Sequence, residues 1–308
     1  MSSIKKTPRP RKSPSKGSTS AKAGKLRFHL RRGEPIGEEL KIIARLHLEK
    51  ALDELSGNNV SPEPVHEART SIKKVRAVIH LASPALGSVR RNLISELLHD
   101  AATRLAPLRD SEVQVQTLDL ILEADELTPE EFSSLRSGLA DIAKQRRVND
   151  TRQIPRVRGF LDEALKAVKA WPLEPLQGKD VNRRIRRIYR RGRSLLEFCQ
   201  VSDDPEEFHT FRKTIKQLWY SIRITSRSWP QEGEDLIQEL GLMGELAGKE
   251  RDFSLLAETL RLGPANKASQ RLIAILEEEL PKLRRATLTS ANAFFEQRPK
   301  SFVEHLDL

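Results

Sequence analysis

Cysteine is almost missing from this chain: Cys199 is the only one in 308 residues. That excludes an internal disulfide framework and any thiolate metal cluster. Aromatic residues are also scarce, at 5%, against 31% charged residues. The balance, rich in Leu, Ala, Arg and Glu, suits amphipathic helices rather than a β-sandwich. No apolar run approaches the roughly 20 residues needed to span a bilayer, and the first residues lack an apolar stretch of signal-peptide type. A reducing, cytoplasmic setting with no membrane partner is the expectation. Acidic residues are absent from residues 1–32, which hold eleven Lys and Arg. Those eleven account for the whole formal net charge of +11, because the rest of the chain holds 43 basic and 43 acidic residues. Any anion site in the folded part must therefore come from where charges are placed, since there is no global excess to supply it.

Residues 1–24 are Ser, Pro, Lys and Gly with almost nothing to bury. The reading is a disordered basic arm, assigned to residues 1–32, able to tether phosphate polymers electrostatically. From Ile36 onward helical periodicity dominates, which predicts an all-α fold. Helices are expected over about 36–55, 63–81, 88–105, 111–124, 129–147 and 154–170, then 180–199, 205–227, 232–247, 252–261 and 267–296. The stops between them are Ser56-Gly57-Asn58-Asn59, Ser83-Pro84, Pro107 and Gly263-Pro264. Thr128-Pro129 reads as a helix start, with Thr128 as cap and Pro129 in the first turn. The segment 171–179, with Pro172, Pro175 and Gly178, reads as a hinge between a first unit, 33–170, and a second, 180–308.

The most informative signal is an internal repeat. Residues 65–81, VHEARTSIKKVRAVIHL, align without a gap to residues 208–224, FHTFRKTIKQLWYSIRI, at an offset of 143. His66 then matches His209, Arg69 matches Arg212, and Lys73 matches Lys216. A second echo pairs Arg109-Asp110 with Arg251-Asp252 at an offset of 142.

On a helix, His66, Arg69, Lys73, Arg76 and His80 fall in one arc of about 80° and run about 21 Å along the axis. Beside that arc lie Val65, Ala68, Ile72, Val75 and Ile79. The second copy sets Phe208, Phe211, Ile215, Leu218 and Ile222 beside His209, Arg212, Lys216, Trp219 and Arg223. Basic residues beside an apolar stripe often do no more than lay their stems over the edge of a core. Packing alone, however, does not call for the same histidine in both copies. A cation at the border of a core is partly desolvated, and its attraction to an anion is stronger for it. The helix at 180–199 adds seven arginines in the eleven residues 183–193, of which Arg184, Arg187 and Arg191 border its apolar stripe. Like charges so close repel unless anions or acidic neighbours offset them.

The doubled His-x-x-Arg-x-x-x-Lys pattern, each copy followed by an Arg-Asp step, resembles the CHAD family, the conserved histidine α-helical domains. The resemblance covers nearly all of residues 34–305. It implies two four-helix bundles related by a pseudo-twofold axis, binding inorganic polyphosphate in a basic central channel and associating with polyphosphate granules and granule proteins. The implied ligands are His66, Arg69, Lys73 and Arg76 in one half and His209, Arg212 and Lys216 in the other. His80, Arg184, Arg187 and Arg191 extend the set, Arg104 and Arg109 are candidates for the channel, and Arg223 is the candidate to replace a family cation lost at Trp219. Protonated imidazole donates fully to an anion, so affinity is expected to rise as pH falls below about 6.5.

Two other readings compete. The basic arm suits a nucleic-acid backbone, but the stripes lack interleaved aromatics apart from Trp219 and Tyr220. His99-Asp100 is a dipeptide of helical metal-dependent phosphohydrolases, yet no further His or Asp ligand sits at a recognisable spacing. With no Gly-rich phosphate loop, nucleophile elbow or Cys/His cluster, no catalytic residue, metal or cofactor is assigned. His29, His47 and His305 are expected to be ordinary surface or helix residues.

Overall fold

The computed structural model describes residues 26–57, 61–124, 128–230, 232–304 and 306–308, of which the side chains of residues 150 and 232 are left aside. Most of the expected basic arm, residues 1–25, lies outside the described residues, as do Asn58, Asn59 and His305. The described residues are helical with short connections and contain no strand.

The first helix, α1 (Ile36–Glu54), buries Leu40, Ile43, Ala44, His47, Leu48 and Ala51, the spacing of one apolar face. The second, α2 (Pro62–Ala124), runs through the expected stops at Pro84 and Pro107 and is interrupted only at Gly87. There φ is 70°, a left-handed conformation that glycine adopts without strain. The chain folds back at that point. Arg69 reaches Ala102 O at 3.1 Å and Arg76 reaches Leu98 O at 3.1 Å, so the limbs 62–86 and 88–124 pack antiparallel. Then come α3 (Pro129–Asp150) and α4 (Ile154–Lys169). Thr128 sits at the start of α3 as expected, but its side chain makes no capping hydrogen bond.

The chain continues into the second half of the sequence. That half begins with α5 (Gly178–Val201), started by a capping box between Gln177 and Asp180. Next is α6 (Pro205–Ile224), capped by Asp204 Oδ1, which accepts from Glu206 N at 2.9 Å. Helix α7 (Glu232–Leu262) continues unbroken where a stop near 248–251 was expected. It ends before Gly263-Pro264, and Asn266 caps α8 (Lys267–Phe294) through a reciprocal pair with Ser269. A short α9 (Pro299–Phe302) follows.

Two expectations need correction. Residues 171–179 are no hinge: Trp171, Leu173 and Leu176 are buried in a core that takes in both units. A Cβ on Gly37 would stand 2.1 Å from Leu173 O, and one on Gly178 would stand 2.2 Å from Leu308 O. Each unit thus closes its end onto a glycine at the start of its own first helix. Residues 26–32 are likewise no part of a loose arm. Phe28 and Leu30 join the core, Leu30 N donates to Ile224 O, and Arg27 and Arg31 bond the buried carboxylate of Glu39. Two apolar side chains and a buried carboxylate that needs partners outweigh the local basic composition. A second apolar cluster joins Leu118, Leu122, Phe132 and Leu139 of the first unit to Phe253, Leu256, Leu272 and Leu276 of the second.

Candidate functional site

The repeat places α6 and the first limb of α2 so that their basic stripes meet at one cavity of about 1200 Å3. His66, Lys73 and Arg76 line it from α2, and Arg212, Lys213 and Lys216 from α6. The far wall is α7, with Leu242, Glu245, Leu246, Lys249 and Asp252. By surface area Lys73 and Arg76 are exposed, but they lie deep in a concavity whose walls displace much of the surrounding water.

The consequence shows at Lys73, whose ammonium is pushed down to about 8 by burial and then by Arg69, Arg212, Lys216 and Arg109. Those cations come from both units. Burial also lowers Arg69, Arg76, Arg212 and Lys216 from their ordinary values, and neighbouring cations add to the effect at each. Asp110 lies 3.9 Å from Arg69, and Asp252 faces Arg212. Burial raises the Asp252 carboxyl, against the pull of Arg212 and Arg109. Glu245 adds a further carboxylate that acts on Lys216, and the cations lining the cavity still outnumber its acids.

The two Arg-Asp steps now have a structural meaning. Both lie inside helices, α2 and α7. In each unit the aspartate faces the stripe arginine, and the arginine acts on the stripe histidine: Arg109 on His66 and Arg251 on His209. Both imidazoles are lowered, burial being the larger cause, and His209 falls to about 4. They are neutral at pH 7 in the free protein, so protonation sets in below the 6.5 taken from an unperturbed histidine.

Other candidates divide. His80 takes Arg184 as a neighbour: Arg184 Nε donates to His80 O at 3.1 Å, and its Nη2 lies 3.1–3.2 Å from both ring nitrogens. A guanidinium there needs a neutral ring with a free lone pair, and His80 falls to about 3 through burial and then Arg184, Arg187, Arg191 and Arg91. It acts on Arg184 as an acceptor, where a proton donor to an anion was expected. His209 does not line the large cavity, and its Nδ1 is buried without a partner. Arg104 turns away, over the Phe160 ring at 5.0 Å and 3.8 Å from Asp100. Arg223 stacks on Trp219 at 4.5 Å and on Phe28 at 5.5 Å, so it supports the wall and does not replace the missing cation. Trp219 itself donates Nε1 to Ile237 O at 3.0 Å, with Lys216 held 5.1 Å from its ring. His47, expected to be ordinary, is fully buried beneath Phe28 and lowered to about 3 by burial.

A glycine face was missed by the sequence reading. A Cβ on Gly244 would come within 2.8 Å of Lys216 Nζ, and Gly248 also lines the cavity. Gly241, Gly244 and Gly248, three and four residues apart, were a legible sign of a small-residue face on α7, and the close approach falls at Gly244.

A CHAD domain model matches residues 42–261. The chain belongs to the CHAD family. The crystal structure of the CHAD domain from the plant Ricinus communis is 17% identical with a TM-score of 0.68, covering 89% of this chain and 97% of that one. PptA from Streptomyces chartreusis is 14% identical with a TM-score of 0.61, covering 86% of this chain and all of that one. At such identities the likeness is one of fold. No curated protein matches the chain. The CHAD family as a whole is associated with polyphosphate binding. Among the described residues no helix is long and apolar enough to cross a membrane, and no three His, Cys, Asp or Glu side chains group as metal ligands.

Proposed function

We propose that this CHAD protein binds inorganic polyphosphate, without turning it over, in the cationic cavity between its two units. In this reading the units are pseudo-twofold-related four-helix bundles around a basic channel, and binding targets the protein to polyphosphate granules in the cytoplasm. The observation that carries it is one cavity lined by cations of both halves, Lys73 and Arg76 from the first and Arg212 and Lys216 from the second. Clustered, half-desolvated cations repel one another, and a flexible chain of oxyanions relieves that repulsion along its length. Arginine offers such a chain paired donors and lysine a compact charge.

Nucleic acid is the rival polyanion. Trp219, the aromatic side chain most available for base stacking at this cavity, already has Arg223 over its ring and its indole N–H on Ile237 O. The test is competition at fixed salt, because both polymers bind with steep salt dependence. Long-chain polyphosphate is expected to displace a labelled DNA at equal phosphate concentration, and DNA is expected not to displace polyphosphate. The reverse order would assign the site to nucleic acid. Release of orthophosphate from the bound polymer would overturn the non-catalytic part.

A further inference from the structure

A second cavity, of about 360 Å3, lies between the limbs of α2, with Arg76, His80, Arg91 and His99 among its lining. Arg76 and Gln217 line both cavities, so the two adjoin at that pair. Seven residues of helix, about 10.5 Å of axis, separate Lys73 from His80. This end has its own cations. Arg91 lines the small cavity and bonds the neutral amide of Asn92, and Arg184 closes on His80 from α5. Arg187 and Arg191 act on the same imidazole, and the charged groups acting on it are all arginines. Placed so, the arginines form a cationic cluster apart from the one around Lys73.

We propose that the small cavity is a second oxyanion subsite, and that the neck at Arg76 and Gln217 lets one polyphosphate chain occupy both cavities. The inference rests on the polyphosphate reading and adds to it a dependence on chain length. Once one segment is held around Lys73, the next meets the second cluster at the high effective concentration of a tethered ligand. A chain too short to pass the neck gains nothing from it.

The test is calorimetry on the full chain with tripolyphosphate and with long-chain polyphosphate, using two variants. Arg91→Ser/His99→Ala removes two exposed side chains of the small cavity, and Gln217→Trp narrows the neck. Long-chain affinity is expected to fall about tenfold or more in both. Tripolyphosphate affinity in Arg91→Ser/His99→Ala is expected to change by less than about twofold. Unaltered long-chain affinity in the double variant would overturn the subsite. So would a wild-type chain that binds tripolyphosphate as tightly, per chain, as the long polymer. A wild-type protein that binds neither ligand overturns the polyphosphate reading itself, and this inference with it.

Discussion

Replacing Lys73 by methionine should make the free protein more stable and its ligand binding weaker. In the folded state the ammonium is lowered from 10.5 to about 8, so between those values the unfolded chain binds the extra proton. Lys73 therefore opposes folding in full below pH 8, and the opposition fades as pH rises to 10.5. A shift of that size corresponds to roughly 3 kcal/mol at most. The side chain is exposed to cavity water, so screening reduces the figure to about 1–2 kcal/mol. Methionine keeps most of the stem and removes the charge. At pH 7, Lys73→Met is expected to raise the thermal midpoint by roughly 2–6 °C. Affinity for polyphosphate should fall about 10- to 100-fold, the loss of one charge-assisted contact. Above pH 10.5 the stability gain should vanish. Calorimetric melting and anion titration on one preparation read both quantities. A variant less stable than the wild type, or one that binds equally well, would refute the idea that Lys73 is held charged for a ligand.

Three further outcomes are expected. The neutral His66, which lines the cavity, gains a proton when a polyanion is bound, so affinity should climb as pH falls; a His66→Ala variant with an unchanged pH profile would remove the imidazole from the account. His47, lowered to about 3, supports the fold above pH 6.5 and withdraws that support as pH falls toward 3, by up to roughly 4 kcal/mol; urea midpoints of His47→Leu should fall less steeply between pH 6.5 and 4 than those of the wild type, and equal slopes would exclude His47 as a source of acid sensitivity. Gly244→Ala gains up to about 1 kcal/mol of helix propensity and displaces the flexible end of Lys216; the thermal midpoint should hold or rise while polyphosphate affinity drops severalfold, and unaltered affinity would show that Lys216 has no fixed place in binding.

The helices and the doubled stripe were legible because both rest on short-range spacing. Val65, Ile72 and Val75, and their matches Phe208, Ile215 and Leu218, are buried where periodicity put them. The failures lie where tertiary contacts override local chemistry. Pro107 costs a backbone bond, yet α2 continues through it because Ala101, Leu105 and Leu108 stay buried on either side. The reversal of α2 lies at Gly87 and not at the stop read from Ser83-Pro84, since only a residue tolerant of positive φ closes the antiparallel limbs. For Arg104 and Arg223 the sequence gives a charge but not a direction. Each found an aromatic ring, Phe160 for one and Trp219 and Phe28 for the other, that no spacing announces.

Beyond residue 32 the chain has as many acids as bases, so the cationic cavity is made by where carboxylates are placed. They are used elsewhere. Arg136 is paired with Asp119, Arg261 with Glu277, Arg271 with Glu131 and Arg284 with Glu250, while Glu39 takes Arg27 and Arg31. At the cavity, Asp110 stands 3.9 Å from Arg69, a loose pair, Asp252 is raised by burial against the pull of Arg212, and Glu245 acts on Lys216. Evenly distributed acids would have offset the mutual repulsion that adds to burial in lowering these cations. A fold that pairs its outer arginines closely and leaves its inner cations with few and loose counter-charges is held short of its lowest electrostatic energy, and the missing term is one that a bound polyanion would supply.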